Sequence, residues 1–307
     1  MQLIDNLVAS IDQIQRRYRP FSFIFAVIKK YGDDQIGYQA ALLTYYAFLA
    51  LFPLLLVLTT IAGIVANNDP HLRDTIIRSM TQYFPVLGTQ LSEHITTLHK
   101  SGIALVLGIV FTLYGARGVA DVFRRGVMHI WHEPMPQDEA FPKRLGKNLS
   151  IMLVGGLGLL AASVVSGIAS AAGHGFLFRG LSITVNLLVL FALFNYLIDT
   201  CLPHHVPLKD TRAGAAVAAI GLIILQSLGG YVLRRELKSL DALYSYFAIS
   251  LGLLFWIYLQ AQLLYYSITI AAVKTKKLFP RSLSGKNLTT VDKKLSANTK
   301  AQPAIEL

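Results

Sequence analysis

Six long stretches almost free of charge, at 41–66, 103–122, 149–173, 181–201, 213–233 and 244–273, divide this chain of 307 residues. Each reaches or approaches the roughly 20 apolar residues that carry a helix across about 30 Å of hydrocarbon. Water is absent at that depth, so each backbone N–H and C=O must bond inside its own segment, and a helix does this. Charged residues make up only 15% of the chain, against about 25% in soluble domains. The expected fold is therefore all-α, a polytopic bundle of six transmembrane helices. Residues 1–36 read as an amphipathic N-terminal arm, 37–275 as the membrane domain and 276–307 as a basic, disordered tail. The second stretch is the shortest. Its uncharged part ends at residue 116, so Arg117 must lie near a membrane face and snorkel outward.

The net charge of +11 would fit nucleic acid, but topology accounts for it without such a partner. With the N-terminus cytoplasmic, 21 of the 28 Lys and Arg residues fall on that side and seven on the other. Such an excess is the positive-inside pattern. Six crossings bring the C-terminus back to the same side. Cys201 is the one cysteine, so no disulfide can form within the chain. The first twenty residues lack the apolar core and small cleavage residues of a signal peptide, so none is expected.

In the arm, Leu3, Leu7, Ile11, Ile14 and Tyr18 recur at helical spacing, and Arg16, Arg17 and Arg19 close the stripe before Pro20. A second apolar piece runs from Phe21 to Ile28 and ends at Lys29 and Lys30. Either a helix lying on anionic lipid or one packed on the ends of the bundle meets this pattern. The loop at 67–101 carries two further amphipathic stripes, Leu72, Ile76, Met80 and Leu91, Ile95, Leu98. They read as short helices over the outer mouth, as a lid or a plain hairpin.

Inside the bundle, small residues mark close helix contacts. Gly158, Ala162, Ser166 and Ser170 follow one another at four-residue steps, and Gly214, Ala215, Ala218 and Ala219 repeat the device. Pro53 in the first span removes a backbone bond and should kink that helix, a candidate gating point. Asn186, Asn195, Gln226, Gln260 and Gln262 are the intramembrane amides, each expected to bond across helices for about 0.6–2 kcal/mol. Trp256 sits too deep for an interfacial belt and should face the interior.

Charges gather at the cytoplasmic ends. Arg117 and Asp121 share a face, Arg124 and Arg125 follow, and Asp199 lies one turn past Asn195. Guanidinium forks match phosphate geometry, so Arg117, Asp121, Arg124, Arg125, Asn195 and Asp199 form a candidate site for an anionic head group. The alternative is snorkelling with an ion pair that fixes helix ends. A catalytic constellation is missing from the sequence. His132-Glu133 runs into Pro134, which excludes a His-Glu-x-x-His helix, and the pairs His129/His132 and His204/His205 come with no acid or cysteine set. No enzyme activity, metal or other cofactor is expected.

The stretch Tyr38-Gln39-Ala40-Ala41-Leu42-Leu43-Thr44-Tyr45-Tyr46-Ala47-Phe48-Leu49-Ala50-Leu51-Phe52-Pro53-Leu54-Leu55 resembles the first-helix signature of the YihY/BrkB family of bacterial inner-membrane proteins, formerly labelled ribonuclease BN. Val119 to Trp131, Pro207 to Ala219 and Trp256-Ile257-Tyr258 resemble later family segments in the same order, so the likeness covers about residues 20–275. Two places depart. Ser267-Ile268-Thr269-Ile270-Ala271 stands where the family usually has Gly-Ala-Glu-Leu-Asn, and Met128 stands where it has Asn. The resemblance implies a six-helix protein of the bacterial cytoplasmic membrane with both termini cytoplasmic. It also implies a transport-like role toward surface glycolipids, with membrane lipids as partners.

Two functional classes follow, with membrane-bound ribonuclease a distant third. One is a transporter or flippase-like protein for an amphipathic anionic lipid or glycolipid. The other is a scaffold of the envelope, and homo-oligomerisation is open to both. A cavity walled by polar side chains near Arg117 and Asp199 would favour the first. A closed bundle with every amide paired would favour the second.

Overall fold

A computed structural model of the chain describes residues 18–66, 102–134, 141–171, 176–203, 206–236, 242–282 and 289–293. They form seven long helices and, among the described residues, no strand: α1 (Arg19–Asp33), α2 (Ile36–Ala66), α3 (Gly102–Ile130), α4 (Phe141–Ala171), α5 (Phe176–Cys201), α6 (Leu208–Glu236) and α7 (Ala242–Thr275). The expected all-α class is what the chain adopts. Helices α2 to α7 stand where the six apolar stretches were read. By length and composition, the described residues hold four helices able to cross a membrane, at Pro142–Ala162, Gly180–Cys201, Leu208–Gly229 and Ser250–Thr275, with a shorter apolar helix at Ile36–Leu51.

The helices outrun the apolar stretches because hydropathy marks only the part in hydrocarbon. The 31 residues of α4 extend about 46 Å at 1.5 Å per residue. Its first turns, with Lys143, Arg144 and Lys147, therefore project beyond an apolar core about 30 Å thick. Three helices end on a non-glycine residue in the left-handed region, Gln35, His132 and Lys277, each at φ 51°. After α3 the Glu133 N–H returns to Met128 O at 2.9 Å and His132 N–H to His129 O at 3.0 Å, the paired bonds of a Schellman ending.

Each of α2 to α6 packs on the next helix in the chain, and α7 closes the ring on α2. Glycines set the closest approaches. A Cβ on Gly118 of α3 would come 2.6 Å from the Tyr46 ring on α2, and one on Gly158 of α4 would come 2.5 Å from Leu193 on α5. One on Gly214 of α6 would lie 2.7 Å from the Ser267 carbonyl oxygen of α7. Of the small-residue positions read from the sequence, Gly158 and Gly214 are contact points and Ala162, Ala215, Ala218 and Ala219 are buried, while the side chains of Ser166 and Ser170 lie outside the described ones. Trp256 lies against Gly229 inside the bundle, as expected. Outward residues are large and apolar, among them Phe111, Leu153, Leu157, Leu188, Ile224 and Phe255. An exposed apolar girdle of this extent is suited to lipid and unsuited to water.

Helix α1 lies across one end of the ring, against α7 and α2. It buries Ser22, Ala26, Val27, Lys30 and Tyr31 and leaves Phe21, Ile24 and Ile28 exposed. The two readings of this segment are therefore compatible, since one face packs on the bundle and the other presents an apolar stripe. Residues 289–293, within the stretch read as disordered, hold a defined turn. Asp292 accepts from Arg281 Nε at 3.0 Å, Ser282 N–H at 2.8 Å and Thr289 Oγ1 at 2.8 Å, and Arg281 Nη2 reaches Asp33 at 3.0 Å. Helix α2 is continuous through Pro53, whose side chain lies outside the described ones, as do residues 1–17 and the loop at 67–101.

Candidate functional site

The end of the ring that carries α1 also receives the last turns of α3, α5 and α7 and the first turns of α4 and α6. It is the basic end of the molecule, and it holds three polar clusters above one cavity.

The first cluster joins α3 to α4. The buried Asp121 carboxylate accepts from Arg144 Nη2 at 2.7 Å through one oxygen and from Asn148 Nδ2 at 2.7 Å through the other. Arg125, one turn along α3, approaches the same carboxylate at 3.5 Å. Both guanidiniums remain accessible, with side chains 56% exposed for Arg125 and 42% for Arg144. Arg124 turns the other way. It is 1% exposed and lies close to Cys201 at the end of α5.

The second cluster joins α1 to α3. Lys30 Nζ lies 2.5 Å from Asp34 Oδ2 and 2.8 Å from His132 Nε2, and His132 Nε2 lies 3.0 Å from the same Asp34 oxygen. His129 Nε2 meets the Asp34 carbonyl at 2.8 Å. Burial pulls the Lys30 ammonium below its ordinary value, although the Asp34 carboxylate opposes this. Burial pushes the Asp34 carboxyl up. The His132 hydrogen bond and the Lys30 charge outweigh it and hold the group below the ordinary carboxylate value. The local sequence places no acid set beside the histidine pair. Asp34, 98 residues before His132, supplies an acid. The third cluster is the Arg281–Asp292–Asp33 network, to which Lys29 adds a bond with the Ser282 carbonyl.

The six residues expected to form one head-group site are divided. Asp121 and Arg125 meet, but Arg144 and Asn148 complete their cluster in place of Asp199. Asn195 instead accepts from Thr211 Oγ1 of α6 at 2.7 Å, the interhelical bond expected of it. Arg117 is exposed and has no hydrogen bond or ion pair with a described residue. Asp199 is half-buried. The missed residues do carry a signal, because Arg144/Asn148 and Lys30/Asp34 are spaced i, i+4 on one helix face. Their partners on other helices are what the spacing does not name.

Below the first cluster, toward the middle of the ring, lies a cavity of about 380 Å³. All six ring helices line it, with Leu51 of α2, Phe123 of α3, Met152 and Gly156 of α4, Phe194 of α5, Leu222 of α6 and Ile257 of α7. Gln260 is the one amide on its wall, and the neighbouring Gln262 bonds instead to Tyr31 and Tyr258. The polar-walled cavity sought near Arg117 and Asp199 is therefore replaced by an apolar one. The cause is the ring's own composition, since Ala, Gly, Leu and Phe are the residues that face inward at this level. Its volume lies within the roughly 300–1,000 Å³ of small-molecule sites. Among the described residues no group of three or more His, Cys, Asp or Glu side chains could hold a metal ion.

Comparison with known proteins agrees with this architecture. The profile of the family described as Virulence factor BrkB matches residues 27–287. The chain is similar to the inner membrane protein YhjD of Escherichia coli (strain K12), with 24% identity over 91% of this chain and 88% of that protein. It is also 26% identical to a UPF0761 membrane protein of Psychrobacter sp. (strain PRwf-1), over 85% of this chain and half of that longer protein. No solved structure matches. With a family profile spanning most of its length and a helical ring girdled by apolar side chains, the chain belongs to the BrkB family of membrane proteins.

Proposed function

We propose that this protein is a six-span protein of the inner membrane, with both termini cytoplasmic, that handles an amphipathic anionic lipid or glycolipid in the manner of a transporter or flippase. The head group pairs with Arg125 and Arg144 at the basic end, and a hydrocarbon chain occupies the cavity. It performs no reaction on that lipid, requires no cofactor and has no nucleic-acid partner. One observation carries this reading: exposed guanidiniums stand at the end of the ring directly above an apolar space lined by all six helices. Asn148 of the cluster and Ile151 and Met152 of the cavity wall are one helical turn apart on α4. A guanidinium can exchange a carboxylate for a phosphate without loss of geometry. A ligand with charge at one end and hydrocarbon at the other fits both surfaces at once.

Native mass spectrometry of the detergent-purified protein tests the reading. The wild type is expected to retain anionic lipid, and the double substitution Arg125→Ala/Arg144→Ala is expected to lose most of it. Equal retention by both would refute the head-group assignment. Reporter fusions at the two termini test the sidedness, and a periplasmic signal from either would move the basic end to the wrong leaflet.

A further inference from the structure

The ring is unequally sealed. Glycine contacts close three of its seams. Gly115 and Gly118 of α3 press on Ala50 and Tyr46 of α2, Gly158 of α4 presses on Leu193 of α5, and Gly214 and Gly221 of α6 press on Ser267 and Leu263 of α7. Between α5 and α6, Thr211 bonds to Asn195 at 2.7 Å. Between α3 and α4 no such glycine contact is found among the described residues. Gly115 and Gly118 of α3 face α2, Gly126 faces Tyr265 of α7, Gly155 of α4 approaches Leu197 of α5, and a Cβ on Gly156 would meet no atom within 4 Å. Among the described residues, the contacts between α3 and α4 are the sparsest of those between helices consecutive around the ring.

Both helices nevertheless wall the cavity, α3 with Ala116, Val119, Ala120 and Phe123 and α4 with Ile151, Met152, Gly155, Gly156 and Leu159. Of these, Gly156 and Leu159 are at the same time exposed on the outside of the ring. The cavity wall and the lipid-facing surface thus share residues on α4. At the basic end, the Asp121 carboxylate bonds across this loose seam to Arg144 and Asn148.

We propose that the α3–α4 seam is a lateral port through which one acyl chain of an anionic phospholipid enters the cavity from the bilayer, with the Asp121–Arg144–Asn148 bonds as its latch. The proposal rests on the lipid-handling reading and adds to it a route and a trigger. The trigger is exchange at Arg144. A lipid phosphate arriving at this accessible guanidinium competes with the Asp121 carboxylate for the same fork. The seam then loses a charge-assisted bond, and the chain attached to that phosphate already lies beside the gap. A zwitterionic lipid carries its own ammonium beside the phosphate and competes less well. The port therefore selects by head-group charge at entry, while the cavity itself, being apolar, selects nothing but hydrocarbon.

The protein reconstituted in vesicles, doped with a phosphatidylglycerol or a phosphatidylcholine bearing a diazirine on its acyl chain, tests this by time-resolved photolabelling. Peptide mapping separates inward residues (Met152, Phe194) from outward ones (Leu153, Leu157). In the wild type, inward labelling by the anionic lipid is expected to be several-fold faster than by the zwitterionic one. In Asp121→Asn both rates should rise, on the order of tenfold for the zwitterionic lipid, and the difference between the lipids should shrink. Gly156→Phe, whose ring enters open space, should suppress inward labelling and spare outward labelling. Unchanged rates in Asp121→Asn, with normal final inward labelling, would overturn the port and its latch but leave the acyl-chain site standing. No inward labelling in any protein at long times would overturn the site itself, and the port with it.

Discussion

At the residue scale, single side chains at element ends decide how the basic end is assembled. Lys277 adopts φ 51° at the end of α7, a conformation that costs an L-residue about 1 kcal/mol and glycine nothing. Lys277 is exposed, so Lys277→Gly should raise the thermal unfolding midpoint in detergent. A lower midpoint would show that its side chain contributes more than its backbone costs. Gly214 is the opposite case. Any side chain there meets the Ser267 carbonyl of α7, so Gly214→Val should destabilise by about 1–3 kcal/mol, read as a lower midpoint of unfolding. Asp292 sets a pH dependence. Burial pushes its carboxyl up, but bonds from Ser282, Thr289 and Arg281 outweigh this and hold it at about 2, against an ordinary 3.8. Its folded value is depressed, so its contribution is complete above pH 3.8 and is lost as pH falls toward 2. Hydrogen exchange at residues 289–293 should accelerate across that interval in the wild type. In Asp292→Asn it should already be fast at neutral pH. Exchange that is indifferent to both would contradict the docking of this turn.

At the element scale, α1 packs one face on the ring and leaves an apolar face exposed. Its Lys30 face is buried against the ring, and its Phe21, Ile24 and Ile28 face is bare. A bare apolar stripe beside a bilayer lies in the interface, with the basic residues at the head groups. A cysteine replacing Ile24 should therefore resist an aqueous maleimide in vesicles. One replacing Gly32, which is also exposed, should react. Equal reactivity would remove α1 from the membrane surface. The helices themselves were legible in the sequence because hydrocarbon permits so few alternatives, and their close contacts were legible because Gly158 and Gly214 admit a neighbour where larger residues do not. Their ends were less so. Hydropathy stops at the membrane face, while α3 and α4 continue beyond it and place Asp121, Arg144 and Asn148 in contact. Of the residues read into the candidate site, the structure brings only some together. Asp121 and Arg125 lie one turn apart on α3, but the residues that complete their cluster, Arg144 and Asn148, stand on another helix. Asn195 and Asp199 sit at the expected end of α5, yet Asn195 is satisfied by Thr211. No local pattern announces which helix will be the neighbour.

At the scale of the whole molecule, the arrangement separates charge from hydrocarbon along one axis. Ion pairs and hydrogen bonds bind α1, the α3–α4 seam and the C-terminal turn at the basic end. Below them the six ring helices surround an apolar space with a single amide on its wall. Polar groups buried in lipid must be paired, and Asn195 and Gln262 are paired helix to helix. Gln260 faces the space instead. Cryo-electron microscopy of the protein in nanodiscs of mixed phosphatidylglycerol and phosphatidylethanolamine tests the central claim most directly. The account predicts an elongated, chain-shaped density among Leu51, Phe123, Met152, Phe194 and Ile257 that rises to a head group at Arg144. A ring collapsed upon itself at this level, or lipid density confined to the outer girdle, would contradict it.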